Sequence, residues 1–309
     1  MRATALQLCP FSDYLEAGLR QRFEVIRWFE LAEATRATLL SQRASSVRAV
    51  ISGGHLGVDN ALVEQLPRLA MIAINGVGLD KVDLQLAARR GVRVVNTPGV
   101  LTEDVADLAI GLVIALLRGI ASADAFVKSG AWTKGSRPLA RRVSGRRFGI
   151  VGLGRIGRAI AARLTPFGAV AYTGPRRHPG VVYEYVADLH ALARAVDVLI
   201  LACPANTTTY RLVGSSVLDA LGPDGYLVNV ARGSVVDETA LIGALQGGRI
   251  AGAALDVFED EPHVPPALRA SDAVVLTPHV ASATVETRRQ MADILLTALD
   301  SMISTLGGT

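Results

Sequence analysis

One stretch, Arg147-Phe148-Gly149-Ile150-Val151-Gly152-Leu153-Gly154-Arg155-Ile156-Gly157, restricts what this chain can fold into more than any other. Phe148 to Val151 is a short apolar run of the kind that makes a buried strand. Gly152, Gly154 and Gly157 follow at G-x-G-x-x-G spacing, and Ile156, Ile160 and Leu164 then recur at helical spacing. In such a turn the first glycine makes the sharp bend, the second lets a pyrophosphate approach, and the third lets helix and strand pack closely. The free N–H groups of the opening helix turn, at the positive end of its dipole, face the phosphates. A second apolar run, Ala169 to Thr173, closes a β-α-β unit. The expected cofactor contacts here are Gly152, Gly154, Arg155, Ile156 and Gly157.

The end of that second strand bears on which dinucleotide is held. An acid there would accept from the ribose hydroxyls and repel a 2′-phosphate. The chain instead reads Thr173-Gly174-Pro175-Arg176-Arg177. Guanidinium groups pair with phosphate in a two-pronged fashion, so Gly174, Arg176 and Arg177 favour NADP(H), with NAD(H) possible.

The rest of the chain repeats the same alternation of short apolar runs and amphipathic helices. Before the glycine motif, strands are expected at Ala3 to Leu8, Ala49 to Ile51, Met71 to Ile74 and Val92 to Val95, with a helix over Asp13 to Arg22. After it, Val198 to Ala202, Tyr226 to Val230, Ala251 to Leu255 and Val274 to Thr277 read as strands. Short connections between strands and helices imply parallel sheets covered on both faces. At 309 residues the chain has room for two such domains. The expected fold class is α/β with two doubly wound parallel-sheet domains. Residues 1–97 and 284–309 would form one domain, and 98–283 the dinucleotide-binding one. The helix opening at Thr102, capped by it, would make the first crossing, and a helix from about residue 284 the second. The loop-rich segment Lys128 to Gly145 has the length of a functional or subunit-contact segment.

Composition removes several other classes. The charged share is 19% and the net charge +4, with no basic run interleaved with aromatics, so nucleic acid is not an expected partner. Cys9 and Cys203 are too few for a disulfide framework or a zinc site, and no metal is expected. The longest apolar segment, Leu108 to Leu117, is too short to cross a bilayer, and the first residues lack a secretory pattern. A cytoplasmic location follows as the expectation.

Chemistry gathers at the carboxyl ends of the expected strands, where ligands lie in doubly wound sheets. His279 follows Thr277-Pro278 there; histidine changes charge near neutral pH and suits proton transfer. Glu261, anchored by Pro262, can hold its imidazolium. Arg232 offers a cation to a 2-oxo acid. Of the other four histidines, His55 in the loop Ser52-Gly53-Gly54-His55 is the only rival.

These residues sit in a longer series of motifs. Gly76-Val77-Gly78-Leu79-Asp80, Asn96-Thr97-Pro98, Val105-Ala106-Asp107, Asn229-Val230-Ala231-Arg232-Gly233, Asp256-Val257-Phe258 with Glu261-Pro262, and Thr277-Pro278-His279 follow one another. With the glycine motif, they make the sequence resemble the D-isomer-specific 2-hydroxyacid dehydrogenase family from about Gly76 to Met291. Its hydroxypyruvate, glyoxylate and hydroxyphenylpyruvate reductase branch is the most similar. The resemblance implies a Rossmann cofactor domain and a flavodoxin-like substrate domain around a cleft, with homodimerisation through the cofactor domain. It makes His279 the acid/base, Glu261 its partner, Arg232 the substrate anchor and Asp256 a contact to the nicotinamide carboxamide. Backbone amides at Gly53, Gly54, Val77 and Gly78 would hold the substrate carboxylate, and Thr102, Cys203, Pro204, Thr209 and Val230 would line the cofactor. Trp132 falls where some relatives reach into the partner's substrate site. The implied reaction is reduction of a short 2-oxo acid by NADPH to the D-2-hydroxy acid. The alternatives are a nucleotide-sensing corepressor on the same scaffold and a phosphoglycerate-type dehydrogenase. The departure at Gly174 to Arg177, where members using NAD carry an acid, points to NADP(H).

Overall fold

The computed structural model describes residues 2–307. The chain divides into two compact units, Met1–Leu101 with Thr284–Thr309, and Thr102–Ala283. The crossings thus fall at Leu101/Thr102 and Ala283/Thr284. Thr102 is the first residue of its helix, Thr102–Arg118, rather than the cap before it.

The first unit carries strands β1 (Thr4–Gln7), β2 (Glu24–Arg27), β3 (Val47–Gly53), β4 (Met71–Asn75) and β5 (Arg93–Val95). They form one parallel sheet in the order β2-β1-β3-β4-β5, the doubly wound order of flavodoxin-like folds. The sheet is buried on both faces, as parallel sheets are. One face packs Leu6, Val50, Ile72 and Ile74 under the helices Asn60–Glu64 and Leu84–Arg89, through Leu62, Val63 and Leu86. On the other, Ala5, Ile51, Met71 and Ala73 meet Leu15 and Leu19 of the helix Asp13–Arg22. Leu295, Leu296, Leu299 and Met302 of the helix Val285–Gly307 complete that layer. Gly18 makes room for Leu296 there: a Cβ on it would stand 2.5 Å from that side chain, which would have to shift.

The second unit carries β6 (Phe148–Val151), β7 (Val170–Thr173), β8 (Glu184–Tyr185), β9 (Val198–Leu201), β10 (Tyr226–Asn229), β11 (Gly252–Leu255) and β12 (Val274–Leu276). Its parallel sheet runs β12-β11-β10-β9-β6-β7-β8. Outward from β6 this is the dinucleotide-binding order, 3-2-1-4-5-6, with a seventh strand added at the β12 edge. The central strands β6, β9, β10 and β11 are buried along their whole length. The helix Thr102–Arg118 buries Val105, Ala109, Leu112 and Val113 and packs beside the helix Arg155–Leu164, where Arg163 pairs with both Glu103 and Asp107.

Both expected α/β sheets are present, with three additions. β2 and β8 are short edge strands beyond those expected from the sequence. The helix Ile120–Lys128 follows a 61° bend at Gly119, whose φ is +60°. Among the described residues, no single helix is long and apolar enough to cross a membrane.

Candidate active site

The glycine turn is built as its spacing requires. Gly152 has φ +93°, and a Cβ there would lie 2.7 Å from the Cys203 Cα, so the turn is pressed against the end of β9. A Cβ on Gly157 would meet the Gly152 carbonyl oxygen at 2.1 Å, which fixes helix against strand. Gly154 differs: nothing lies within 4 Å of a Cβ placed on it. It caps the helix Arg155–Leu164 with no side-chain hydrogen bond, and the first amides of a helix have no partner within it. An open cradle before an uncapped helix N-terminus fits a dinucleotide phosphate.

At the end of β7, Gly174 is also open, and Arg176 and Arg177 are exposed. Three side chains that sequence reasoning missed fasten this loop. The Tyr172 hydroxyl accepts from the His178 amide at 2.8 Å, the Tyr185 hydroxyl donates to the Gly174 carbonyl at 3.1 Å, and Arg158 Nη2 lies 3.2 Å from His178 Nδ1. The alternation Ala171-Tyr172-Thr173 hints at an inward tyrosine, but its partner six residues on follows no periodicity. Across the switch point, Cys203 is buried, and burial pushes its thiol up to about 11, so it lines the turn as an apolar residue. Thr209 folds the following loop back, donating its hydroxyl to the Pro204 carbonyl at 2.7 Å. Val230 is buried at the end of β10.

The other half of the site belongs to β10, β11 and β12. His279 Nδ1 lies 2.7 Å from Glu261 Oε2, and Glu261 Oε1 accepts from the Phe258 amide at 3.0 Å. The two side chains keep 31% and 22% of their exposure, so both are held yet reachable. Arg232 is partly buried and its Nη1 donates to the Ala231 carbonyl at 2.8 Å. The buried Asn229 shapes this loop, accepting from the Ala231 amide and donating to the Arg232 carbonyl. Gly233 lets it close on its neighbour: a Cβ there would overlap the Phe258 carbonyl carbon at 1.9 Å. The structure therefore brings the Arg232 loop and the Glu261 loop into backbone contact, with His279 hydrogen-bonded to Glu261.

His279 sits in the left-handed region, at φ +52°. For a residue with a Cβ this costs about 1–2 kcal/mol and needs surrounding structure to over-determine it. That structure is Asp256, which is wholly buried. Its Oδ1 accepts from the Thr277 hydroxyl at 2.6 Å and the Val280 amide at 2.9 Å, its Oδ2 accepts from the Ala281 amide at 3.0 Å, and its carbonyl accepts from the His279 amide at 2.8 Å. Asp256, expected to meet a nicotinamide carboxamide, thus accepts from the chain on both carboxylate oxygens.

In the first unit, the loops after β3 and β4 pack backbone to backbone. A Cβ on Gly54 would stand 3.3 Å from the Gly78 carbonyl, and one on Gly76 3.2 Å from the Gly54 amide nitrogen. Gly53, Gly54, Val77 and Gly78 are accordingly gathered at one carboxyl edge. The His55 ring lies over Gly53, within 2.7 Å of where a Cβ would be. Arg288, in the helix Val285–Gly307, is also near this edge. It is half-buried, and the loss of solvent lowers its pKa, while its charge offsets a little of the rise that burial imposes on the Cys9 thiol.

The model of the D-isomer specific 2-hydroxyacid dehydrogenase NAD-binding domain matches residues 110–281. The chain belongs to that family. A glyoxylate/hydroxypyruvate reductase A of Arabidopsis thaliana is 47% identical over 300 residues, which are 97% of this chain and 95% of the relative. A hydroxyphenylpyruvate reductase of Plectranthus scutellarioides is 45% identical over the same shares. Among solved structures, an NADPH-dependent glyoxylate/hydroxypyruvate reductase of Sinorhizobium meliloti, in complex with NADP and malonate, superposes with a TM-score of 0.90. It is 42% identical and covers 99% of this chain and 95% of that one. The chain is thus a D-2-hydroxyacid dehydrogenase, an oxidoreductase with an NAD-binding domain.

Proposed function

We propose that this dehydrogenase reduces a short 2-oxo acid, with glyoxylate and hydroxypyruvate first and phenylpyruvate-like acids next, to the D-2-hydroxy acid with NADPH. The observation that carries the reading is the 2.7 Å His279–Glu261 pair beside the Arg232 loop, joined to a β7 end that has two arginines and no acid. When bound, the reduced dinucleotide supplies the hydride for the carbonyl carbon. Glu261 holds the His279 ring by Nδ1, which makes Nε2 the nitrogen that passes a proton to the carbonyl oxygen. Arg232 fixes the acid's charge, and the amides of Gly53, Gly54, Val77 and Gly78 receive its carboxylate. Gly154 and the helix amides behind it receive the pyrophosphate, with Arg155, Ile156, Thr102, Cys203, Pro204, Thr209 and Val230 as its surroundings. Arg176 and Arg177 pair with the 2′-phosphate.

The units Met1–Leu101 with Thr284–Thr309 and Thr102–Ala283 serve as substrate and cofactor domains in this reading, four residues later at the first crossing than the expected 97/98 boundary. The enzyme works in the cytoplasm as a homodimer, paired through the segment after Gly119. Support for the pairing comes from Ile120, Val127, Trp132 and Leu139, which leave 51–99% of their surface exposed along that one segment. Light scattering of wild type and of a Trp132→Ala, Leu139→Ser double variant tests it; a monomeric wild type removes it.

A panel of 2-oxo acids assayed with NADPH and NADH tests the function. Rapid turnover of glyoxylate or hydroxypyruvate with NADPH is expected. Cofactor binding without turnover of any acid would overturn the reading in favour of a nucleotide-sensing protein.

A further inference from the structure

We propose that Tyr172, Tyr185 and Arg158 are positioning residues for cofactor choice: they form a clasp that presets the loop after β7, and they favour NADPH by acting through Arg176 and Arg177. The inference rests on the reading of those two arginines as the 2′-phosphate contacts.

The loop leaves β7 at Gly174 and returns to β8 at Glu184. The two strands set Tyr172 and Tyr185 side by side as register partners, with ring centroids 5.3 Å apart. The short edge strand β8 thereby brings a second hydroxyl to the start of the loop. Tyr185 donates to the Gly174 carbonyl at 3.1 Å, and the buried Tyr172 accepts from the His178 amide at 2.8 Å. Those bonds grip the loop on either side of Arg176-Arg177. Pro175 and Pro179 adjoin the gripped residues, and their rings fix φ, which restricts the backbone further.

Arg158 adds a third hold. Its Nη2 lies 3.2 Å from His178 Nδ1, and its Nε donates to the Leu153 carbonyl at 3.3 Å. A guanidinium only donates, so the His178 ring accepts. Leu153 stands between Gly152 and Gly154, so one side chain ties the pyrophosphate turn to the arginine loop. That tie fixes the spacing between two phosphate positions of a single cofactor. Arg176 and Arg177 themselves are exposed, and among the described residues neither guanidinium is bonded to an acid or a carbonyl. Held flanks with free cations are what preorganised binding needs, because ordering a loop on binding lowers affinity. NADH has no 2′-phosphate, so its binding does not draw on the clasp.

The experiment measures kcat and KM for NADPH and NADH with the whole enzyme. Tyr172→Phe removes one hydroxyl and keeps the buried ring; His178→Leu removes the acceptor for Arg158 on a half-exposed side chain. Each should raise the NADPH KM about tenfold, with kcat and both NADH constants within about twofold of wild type. His178→Asn, whose side-chain oxygen can stand in for Nδ1, should restore most of the loss. In an Arg176→Ala, Arg177→Ala background, Tyr172→Phe should have no further effect on NADPH, because coupled residues are not additive. Equal losses with both cofactors would mean that the clasp only supports the fold, and would overturn the proposal. So would a full tenfold effect persisting without the arginines, or wild-type selectivity in both single variants. A wild type that uses NADH as well as NADPH refutes the 2′-phosphate reading and removes the proposal with it, and is seen before any variant is made.

Discussion

The two sheets of this chain have the same construction but offer different chemistry at their carboxyl ends. In the first unit the edge is backbone: Gly53, Gly54, Gly76 and Gly78, where a Cβ on Gly54 or Gly76 would press on a neighbouring main-chain atom. In the second it is side chains: Arg232, Glu261, His279 and the buried Asp256. Amides can bind a carboxylate but cannot titrate. Imidazole and carboxylate can move a proton, but they need scaffolding to stay in place. In the proposed function, binding falls to one set of loops and the reaction's proton to the other.

Four changes probe that division. The largest effect is expected from His279→Ala, which should lower kcat/KM by about two to four decades, measured with glyoxylate or hydroxypyruvate. Near wild-type turnover would remove His279 from the reaction. Next, Arg176→Ala with Arg177→Ala should raise the NADPH KM about one to two decades, the worth of a well-formed charge-assisted contact, and leave NADH kinetics alone. Equal damage to both cofactors would show that these side chains do not read the 2′-phosphate. In the first unit, Gly54→Ala puts a methyl against the Gly78 carbonyl. It should raise the KM for the acid several-fold while kcat holds, as loss of uniform binding does. A fall in kcat comparable with that of His279→Ala would erase the distinction between the two edges.

The smallest effect concerns the second unit's scaffold. Glu238 is buried, and that burial, together with the nearby Glu259, Asp260 and Glu261, raises its pKa despite a hydrogen bond from the Glu259 amide. A carboxyl group whose pKa is raised by folding favours the folded state while it is protonated. That contribution is lost as pH rises through the folded pKa. Glu238→Gln keeps the acceptor without the charge. It should raise Tm at neutral pH, with the gain shrinking as pH falls into the carboxylate range. A Tm difference independent of pH between 4 and 8 would refute this account.

What could be read from the sequence follows from how local each feature is. The glycine turn, the central strands and the order of polar residues at their ends are written in runs of a few residues, because a buried parallel strand has to be apolar throughout. The edge strands Glu24–Arg27 and Glu184–Tyr185 are short, open on an exposed glutamate and are only partly buried, so they lack the continuous apolar run of the central strands. The bonds fastening the arginine loop to Tyr172 and Tyr185 join side chain to main chain at separations set only by the fold. Asp256 shows the limit most clearly. Its position after a strand is legible, but the donors around it lie 21 to 25 residues away. Only the structure shows that they enclose the carboxylate.

The helix Val285–Gly307 completes a core begun at the other end of the chain, and this gives protein synthesis a particular order of events. Ala5, Leu15, Leu19, Ile51 and Met71 emerge first, but Leu295, Leu296 and Leu299 that cover them come last. All of Thr102–Ala283 is made in between, roughly ten to forty seconds on a ribosome adding ~5–20 residues per second. Through that interval the first sheet has one apolar face without its final cover, while the second unit, continuous in the chain, can close on itself. The sheet begun first is therefore closed only after the second unit has been made.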